Sequence, residues 1–74
     1  MAPPLRDLPG REVIQAFVRA GGEIKSGKGD HINIKMPNGM IVTVPNKRTI
    51  GFGLLSQQIK RAGMTKADFM KHLR

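Results

Sequence analysis

The stretch His31-Ile32-Asn33-Ile34-Lys35-Met36-Pro37-Asn38-Gly39-Met40-Ile41-Val42-Thr43-Val44-Pro45 decides the fold. From His31 to Met36 polar and apolar residues alternate. Ile32, Ile34 and Met36 therefore face one side of an extended chain, and His31, Asn33 and Lys35 face the other. Pro37, Asn38 and Gly39 come next, and Asn-Gly accepts the positive φ angles a tight turn demands, which marks a hairpin. Met40 to Val44 returns as a strand with β-branched residues at Ile41, Val42, Thr43 and Val44, and Pro45 ends it.

Upstream of the hairpin, Glu23-Ile24-Lys25 reads as a short edge strand and Ser26-Gly27-Lys28-Gly29 as a turn or flexible loop. Further back, Val13, Ile14, Phe17 and Val18 recur on one helical face, and Gly21-Gly22 stops that helix, which spans about residues 10–20. Downstream, residues 45–52 form a basic loop. Leu54, Leu55, Gln58, Ile59 and Ala62 then resume helical spacing up to Gly63. A third short helix opens at Thr65, a fitting N-cap with Asp68 three residues on, and Ala67, Phe69, Met70 and Leu73 supply its apolar contacts. Pro3, Pro4 and Pro9 make residues 1–9 an extended lead-in to a single domain over residues 10–74.

These elements predict an α+β fold of two layers in the order α-β-β-β-α, with a short helical end. A three-stranded antiparallel sheet carries the helices on one face. The helices need the side bearing Ile32, Ile34 and Met36, so His31, Asn33 and Lys35 stay on the uncovered face.

Composition narrows the function classes. With 74 residues and a 39 % hydrophobic fraction, the core is lean, because so short a chain buries only about 60 % of its unfolded surface. No apolar run approaches the ~20 residues that span a bilayer. The opening Met1-Ala2-Pro3-Pro4-Leu5 lacks the basic start and apolar centre of a secretion signal. There is no cysteine, hence neither a disulfide nor a thiolate metal site, and we expect a soluble, cytoplasmic protein. Thirteen Lys and Arg stand against five Asp and Glu, a net charge of +8. Such an excess attracts phosphate polymers or acidic proteins, although positive charge also serves plain solubility. No helix pairs a bulky apolar face with a lysine-rich one, so a membrane surface is not the expected partner.

His31 is the candidate for chemistry. An imidazole, with an ordinary pKa near 6.5, takes a proton from a ribose 2′-hydroxyl near neutral pH, and RNA supplies its own nucleophile. Lys35 points to the same side of the strand, and Lys28 lies on a glycine-flanked stretch just upstream; either can neutralise charge on a phosphoryl group. Asp30 is placed to orient the ring or favour its protonated form. A lone histidine at a strand start is ordinarily solvated surface, and the residue pattern alone does not separate the two roles. His72, near the C-terminus, reads as a cation complementing a helix end.

Other chemistries find little support. Asp7, Glu12, Glu23, Asp30 and Asp68 are dispersed without metal-ligand spacing, and Ser26 and Ser56 lack a nucleophile-elbow motif. Gly27 and Gly29 are not followed by a long helix or a lysine-serine pair, which rules out a nucleotide-binding loop. The basic residues spread over several elements: Lys25 and Lys28, then Lys47 and Arg48, then Lys60, Arg61, Lys66, Lys71 and Arg74. That suits a phosphate backbone. Without Tyr or Trp, and with Phe17, Phe52 and Phe69 read mainly as core, base stacking is not expected, Phe52 in its loop being the one candidate exception. Ile41, on the outward face with Thr43, is either a partner contact or an ordinary edge residue of the sheet.

The run Leu8-Pro9-Gly10-Arg11-Glu12-Val13-Ile14-Gln15-Ala16-Phe17-Val18-Arg19-Ala20-Gly21, then Lys28-Gly29-Asp30-His31-Ile32, Val42-Thr43-Val44-Pro45, Gly53-Leu54-Leu55 and Ile59-Lys60-Arg61-Ala62-Gly63-Met64, resembles the HicA toxin family in order and spacing. The resemblance implies a fold similar to double-stranded RNA-binding domains. It also implies a ribonuclease that cleaves messenger RNA until a HicB-type antitoxin binds it. The family's catalytic histidine lies in a glycine–serine–histidine motif, matched here by Gly29-Asp30-His31, with an acid in place of serine. Lys47 stands where many relatives carry a histidine after the last strand, and Gly53-Leu54-Leu55 where the helix usually opens glycine–threonine–leucine. On this basis His31 is the expected general acid and base, Lys28 and Lys35 hold the scissile phosphate, and Lys47 and Arg48 grip the strand nearby. That chemistry needs no metal or cofactor. The alternative is a non-catalytic RNA-binding module of the same fold, since double-stranded RNA is read largely by shape and backbone.

Overall fold

In the computed structural model, which describes residues 7–73, the alternating stretch forms the centre of a sheet. The elements run β1 (Leu8–Pro9), α1 (Gly10–Arg19), β2 (Glu23–Lys28), β3 (His31–Lys35), β4 (Ile41–Pro45), β5 (Thr49–Ile50), α2 (Phe52–Arg61) and α3 (Lys66–Lys71). Strands β2, β3 and β4 pair antiparallel in that order, and β1 pairs separately with β5. The result is the expected α+β architecture, α-β-β-β-α in its principal elements, with the helices against one face of a three-stranded sheet.

Register sets the two faces. Ile34 lies opposite Val42, and Ile32 opposite Val44, so alternate residues of β3 and β4 enter the core together. Val13, Ala16 and Phe17 of α1, Leu55 and Ile59 of α2 and Phe69 of α3 close over them, all nearly inaccessible. Phe17 and Phe69 meet at 5.1 Å between ring centroids, tilted by 56°, the edge-biased geometry aromatic pairs favour. Ala16 takes the buried place expected of Val18, which stays 41 % exposed one helical position round from Phe17.

The helix ends follow from local chemistry. After α1 the Gly22 N–H reaches the Phe17 carbonyl and the Gly21 N–H the Val18 carbonyl, a Schellman closure for which Gly21 adopts φ 105°. α2 ends the same way: Met64 bonds to Ile59, Gly63 to Lys60, and Gly63 has φ 76°. At α3 the expected capping box forms, the Thr65 hydroxyl accepting from the Asp68 N–H at 3.1 Å.

Four local readings need correction. Ser26, Gly27 and Lys28 are strand rather than loop, and only Gly29 and Asp30 make the turn, with positive φ at Gly29 alone. That is the sign pattern of a II′ hairpin, whose twist matches its strands. The basic loop contains β5, held by a two-residue ladder to β1 that no period-two pattern reveals. The lead-in is ordered at Leu8 and Pro9 by this same ladder, while residues 1–6 lie outside the described residues. Phe52 is not core: it is 48 % exposed at the start of α2, with the Lys66 ammonium 4.5 Å from its ring centroid.

The two edges of the sheet differ. Along β4, Pro45 offers no N–H, and Arg61 Nε donates to the Ile41 carbonyl at 2.7 Å. β2 is exposed throughout, carries Lys25 and Lys28, and is bulged between Ile24 and Ser26.

Candidate active site

The open face of the sheet is laid out in rows. Because directly paired residues share a face, Lys28 and His31 form one row that ends at the buried Pro45, Ser26, Asn33 and Thr43 the next, and Glu23, Lys35 and Ile41 the third. His31 therefore stands at the tip of the β2–β3 hairpin, exposed, with Lys28 directly opposite. Side chains so paired have Cβ atoms about 5 Å apart, within reach of one phosphate.

The middle row supports the first. Asn33 Nδ2 donates to Ser26 Oγ at 3.0 Å, and Thr43 Oγ1 donates to Asn33 Oδ1 at 2.7 Å. One amide thus ties all three strands on the face behind His31.

Asp30 links the hairpin tip to the basic loop. Its carbonyl accepts from the Asn46 N–H at 2.7 Å, and its Oδ1 from the Lys47 N–H at 2.6 Å. Its Oδ2 lies 3.7 Å from Arg48 Nε. The carboxylate expected to serve the histidine is instead engaged with the loop, and it fixes Lys47 and Arg48 beside the row of His31. The sequence carries no local sign of this contact, which joins residues seventeen apart.

Of the expected phosphate ligands, Lys28 pairs directly with His31, while Lys47 and Arg48 lie on the loop that is bonded to the neighbouring Asp30. Lys35 shares the face, but four residues along β3 put its Cα about 13 Å from that of His31. It is too distant to share a single phosphate with Lys28. His72 caps α3 in the helical layer, where its carbonyl accepts from Arg19, so it forms no pair with His31 across the sheet. Ile41 is 38 % exposed at the far end of the open face.

Sequence reasoning missed Arg11. It lines a shallow cleft of about 360 Å³ with Lys47 and Arg48, between the first turn of α1 and the loop after β4. Among the described residues no group of three His, Asp or Glu is gathered as a metal site would require, and no helix is long and apolar enough to cross a membrane.

The model of the family described as HicA toxin of bacterial toxin-antitoxin matches residues 10–64, most of the chain. This chain belongs to the HicA toxin family. The match takes in α1, the His31 hairpin, β4, the basic loop and α2 as far as its Schellman closure. As a HicA toxin the protein is one half of a toxin–antitoxin pair, so an antitoxin partner is implied. All of the residues around His31 fall within the HicA match, while α3, which supplies Phe69 to the core, lies beyond it. No curated protein matches the chain.

Proposed function

We propose that this HicA toxin is an endoribonuclease that cleaves messenger RNA through His31 and is neutralised by an acidic HicB-type antitoxin. The observation that carries the reading is the placement of an exposed histidine on the uncovered face of the sheet, opposite Lys28 and beside the tethered Lys47–Arg48 loop. The net charge of +8 supports a polyanionic substrate.

In the proposed reaction His31 accepts the proton of a ribose 2′-hydroxyl. The 2′-oxygen attacks the adjacent phosphorus, and the bond to the 5′-oxygen of the next nucleotide breaks. A proton returned from the imidazolium leaves a 5′-hydroxyl on one fragment and a 2′,3′-cyclic phosphate on the other. Lys28 offsets charge building on the phosphoryl oxygens, and Lys47 and Arg48 hold the strand. The nucleophile belongs to the substrate, so no metal is required to generate one. Lys35 belongs to a phosphate farther along the strand, given its distance from His31.

The antitoxin covers the same basic face, with exposed Ile41 as an apolar contact at its border. Ile41→Asp would then weaken capture of the antitoxin; unchanged copurification would remove Ile41 from the interface.

The test of the reaction is incubation with long single-stranded RNA in EDTA, beside a His31→Ala variant. Fragments ending in 2′,3′-cyclic phosphate, reduced at least about 100-fold in the variant, are expected. Equal cleavage by both proteins would discard His31. RNA binding without cleavage by either would leave a non-catalytic binding module.

A further inference from the structure

We infer that the cleft lined by Arg11, Lys47 and Arg48 is a second phosphate subsite, which holds the RNA backbone to one side of the cleavage point, and that Arg11 is a positioning residue for the reaction. This rests on the RNA-cleaving reading of His31 and specifies how the substrate crosses the protein.

Three of the residues lining the cleft are cations and none is acidic, so its walls are complementary to a phosphodiester. Holding these charges together works against folding. Arg11 sits in the first turn of α1, the positive end of the helix dipole, where a cation is disfavoured. Lys47 and Arg48 face it across a short gap, and the Asp30 carboxylate is engaged with the Lys47 N–H and Arg48 on the hairpin side. A bound polyanion relieves such crowding.

The cleft is also rigidly coupled to His31. Its loop wall is bonded to Asp30 through the N–H groups of Asn46 and Lys47, and Pro45, one residue before that wall, lies opposite His31. On the other wall, the Gly10 N–H donates to the Arg48 carbonyl at 2.7 Å. A strand leaving His31 along the loop that Asp30 holds reaches the cleft. The RNA accordingly leaves His31 towards the cleft on one side of the cleavage point, and Lys35 lies along β3 on the other.

The test uses the full chain with His31→Ala, so that RNA survives, and a labelled single-stranded RNA long enough to span both sites. A dinucleoside phosphate, which reaches only His31, serves as the short ligand. Adding Arg11→Ala is expected to raise Kd for the long RNA about tenfold, with the dependence of log Kd on log salt falling by about one. Binding of the dinucleoside phosphate stays the same. Lys71→Ala removes an equal charge from α3 and should change Kd by less than about twofold. In the protein retaining His31, Arg11→Ala raises KM and spares kcat, and Arg11→Lys recovers most of the loss.

Equal weakening by Arg11→Ala and Lys71→Ala, or none by either, would overturn the subsite by reducing Arg11 to general charge. An equal loss for the dinucleoside phosphate would do so as well. Failure of the ribonuclease reading looks different: no cyclic phosphate forms while binding still depends on Arg11.

Discussion

The backbone N–H of Lys47 donates to the Asp30 carboxylate at 2.6 Å, joining the loop after β4 to the turn before His31. Without that acceptor the loop would be joined to the hairpin tip only by the bond from the Asn46 N–H to the Asp30 carbonyl. The acid found where the family motif has serine therefore acts on the position of two cations.

Asp30→Ala is expected to lower stability by about 1 kcal/mol, because it removes a charge-assisted hydrogen bond from a partly exposed site. The Lys47 amide should exchange with solvent much faster, and cleavage should fall as the loop loosens. Amide exchange by NMR reads the first effect directly; unchanged protection at Lys47 would refute the tether.

Gly10→Ala and Gly53→Ala should act in opposite directions. A Cβ on Gly10 would fall 1.8 Å from the Pro45 carbonyl oxygen, against backbone that cannot yield. We expect a loss of about 3 kcal/mol or more. Gly53 lies inside α2 with open space around its Cβ direction, so alanine there should gain about 0.5–1 kcal/mol. Urea unfolding of both variants checks the pair.

Thr43→Val keeps the shape of the side chain and removes the donor to Asn33 Oδ1. A cost of about 1 kcal/mol follows, which for so small a domain is roughly 5 °C in Tm. Thr43→Ser retains the hydroxyl and should recover most of it, as differential scanning fluorimetry would show.

Phe69→Ala removes the partner of Phe17 and leaves a cavity, at a cost of about 3–5 kcal/mol. That is comparable to the whole stability of a small domain, so circular dichroism at 37 °C should show a largely unfolded protein. A chain ending at Met64 should fail similarly, because the core needs α3 although the family match stops before it.

The central hairpin, both Schellman closures and the Thr65 capping box are legible in the sequence because each is a local pattern: alternation, a glycine after the last apolar turn, a hydroxyl three residues before an acid. The extent of β2 is not legible in this way. Gly27 and Gly29 look alike in sequence, yet Gly29 takes a positive φ in the turn while Gly27 sits in the strand with Ile32 Cδ1 packed where its Cβ would be. His31 and Lys28 were legible as candidates; their pairing depended on the turn being two residues long. The roles of Asp30 and Arg11 depend on contacts between distant segments, which no spacing rule encodes. The one sequence trace of Arg11 is a cation in the first turn of a helix, where helix energetics alone would disfavour it.

The unequal edges of the sheet bear on how the protein behaves in concentrated solution. β4 is blunted by a missing donor and a short-range bond, Pro45 and Arg61, neither of which depends much on ionic strength. β2 is guarded by a bulge and by lysines, together with the repulsion between molecules that each carry +8. That repulsion reaches about 10 Å at 0.1 M salt and only about 3 Å at 1 M. Colloidal stability is therefore conditional: added salt, or any polyanion that cancels the charge, leaves the β2 edge to the bulge alone, and strand-to-strand association becomes the route by which the protein leaves solution.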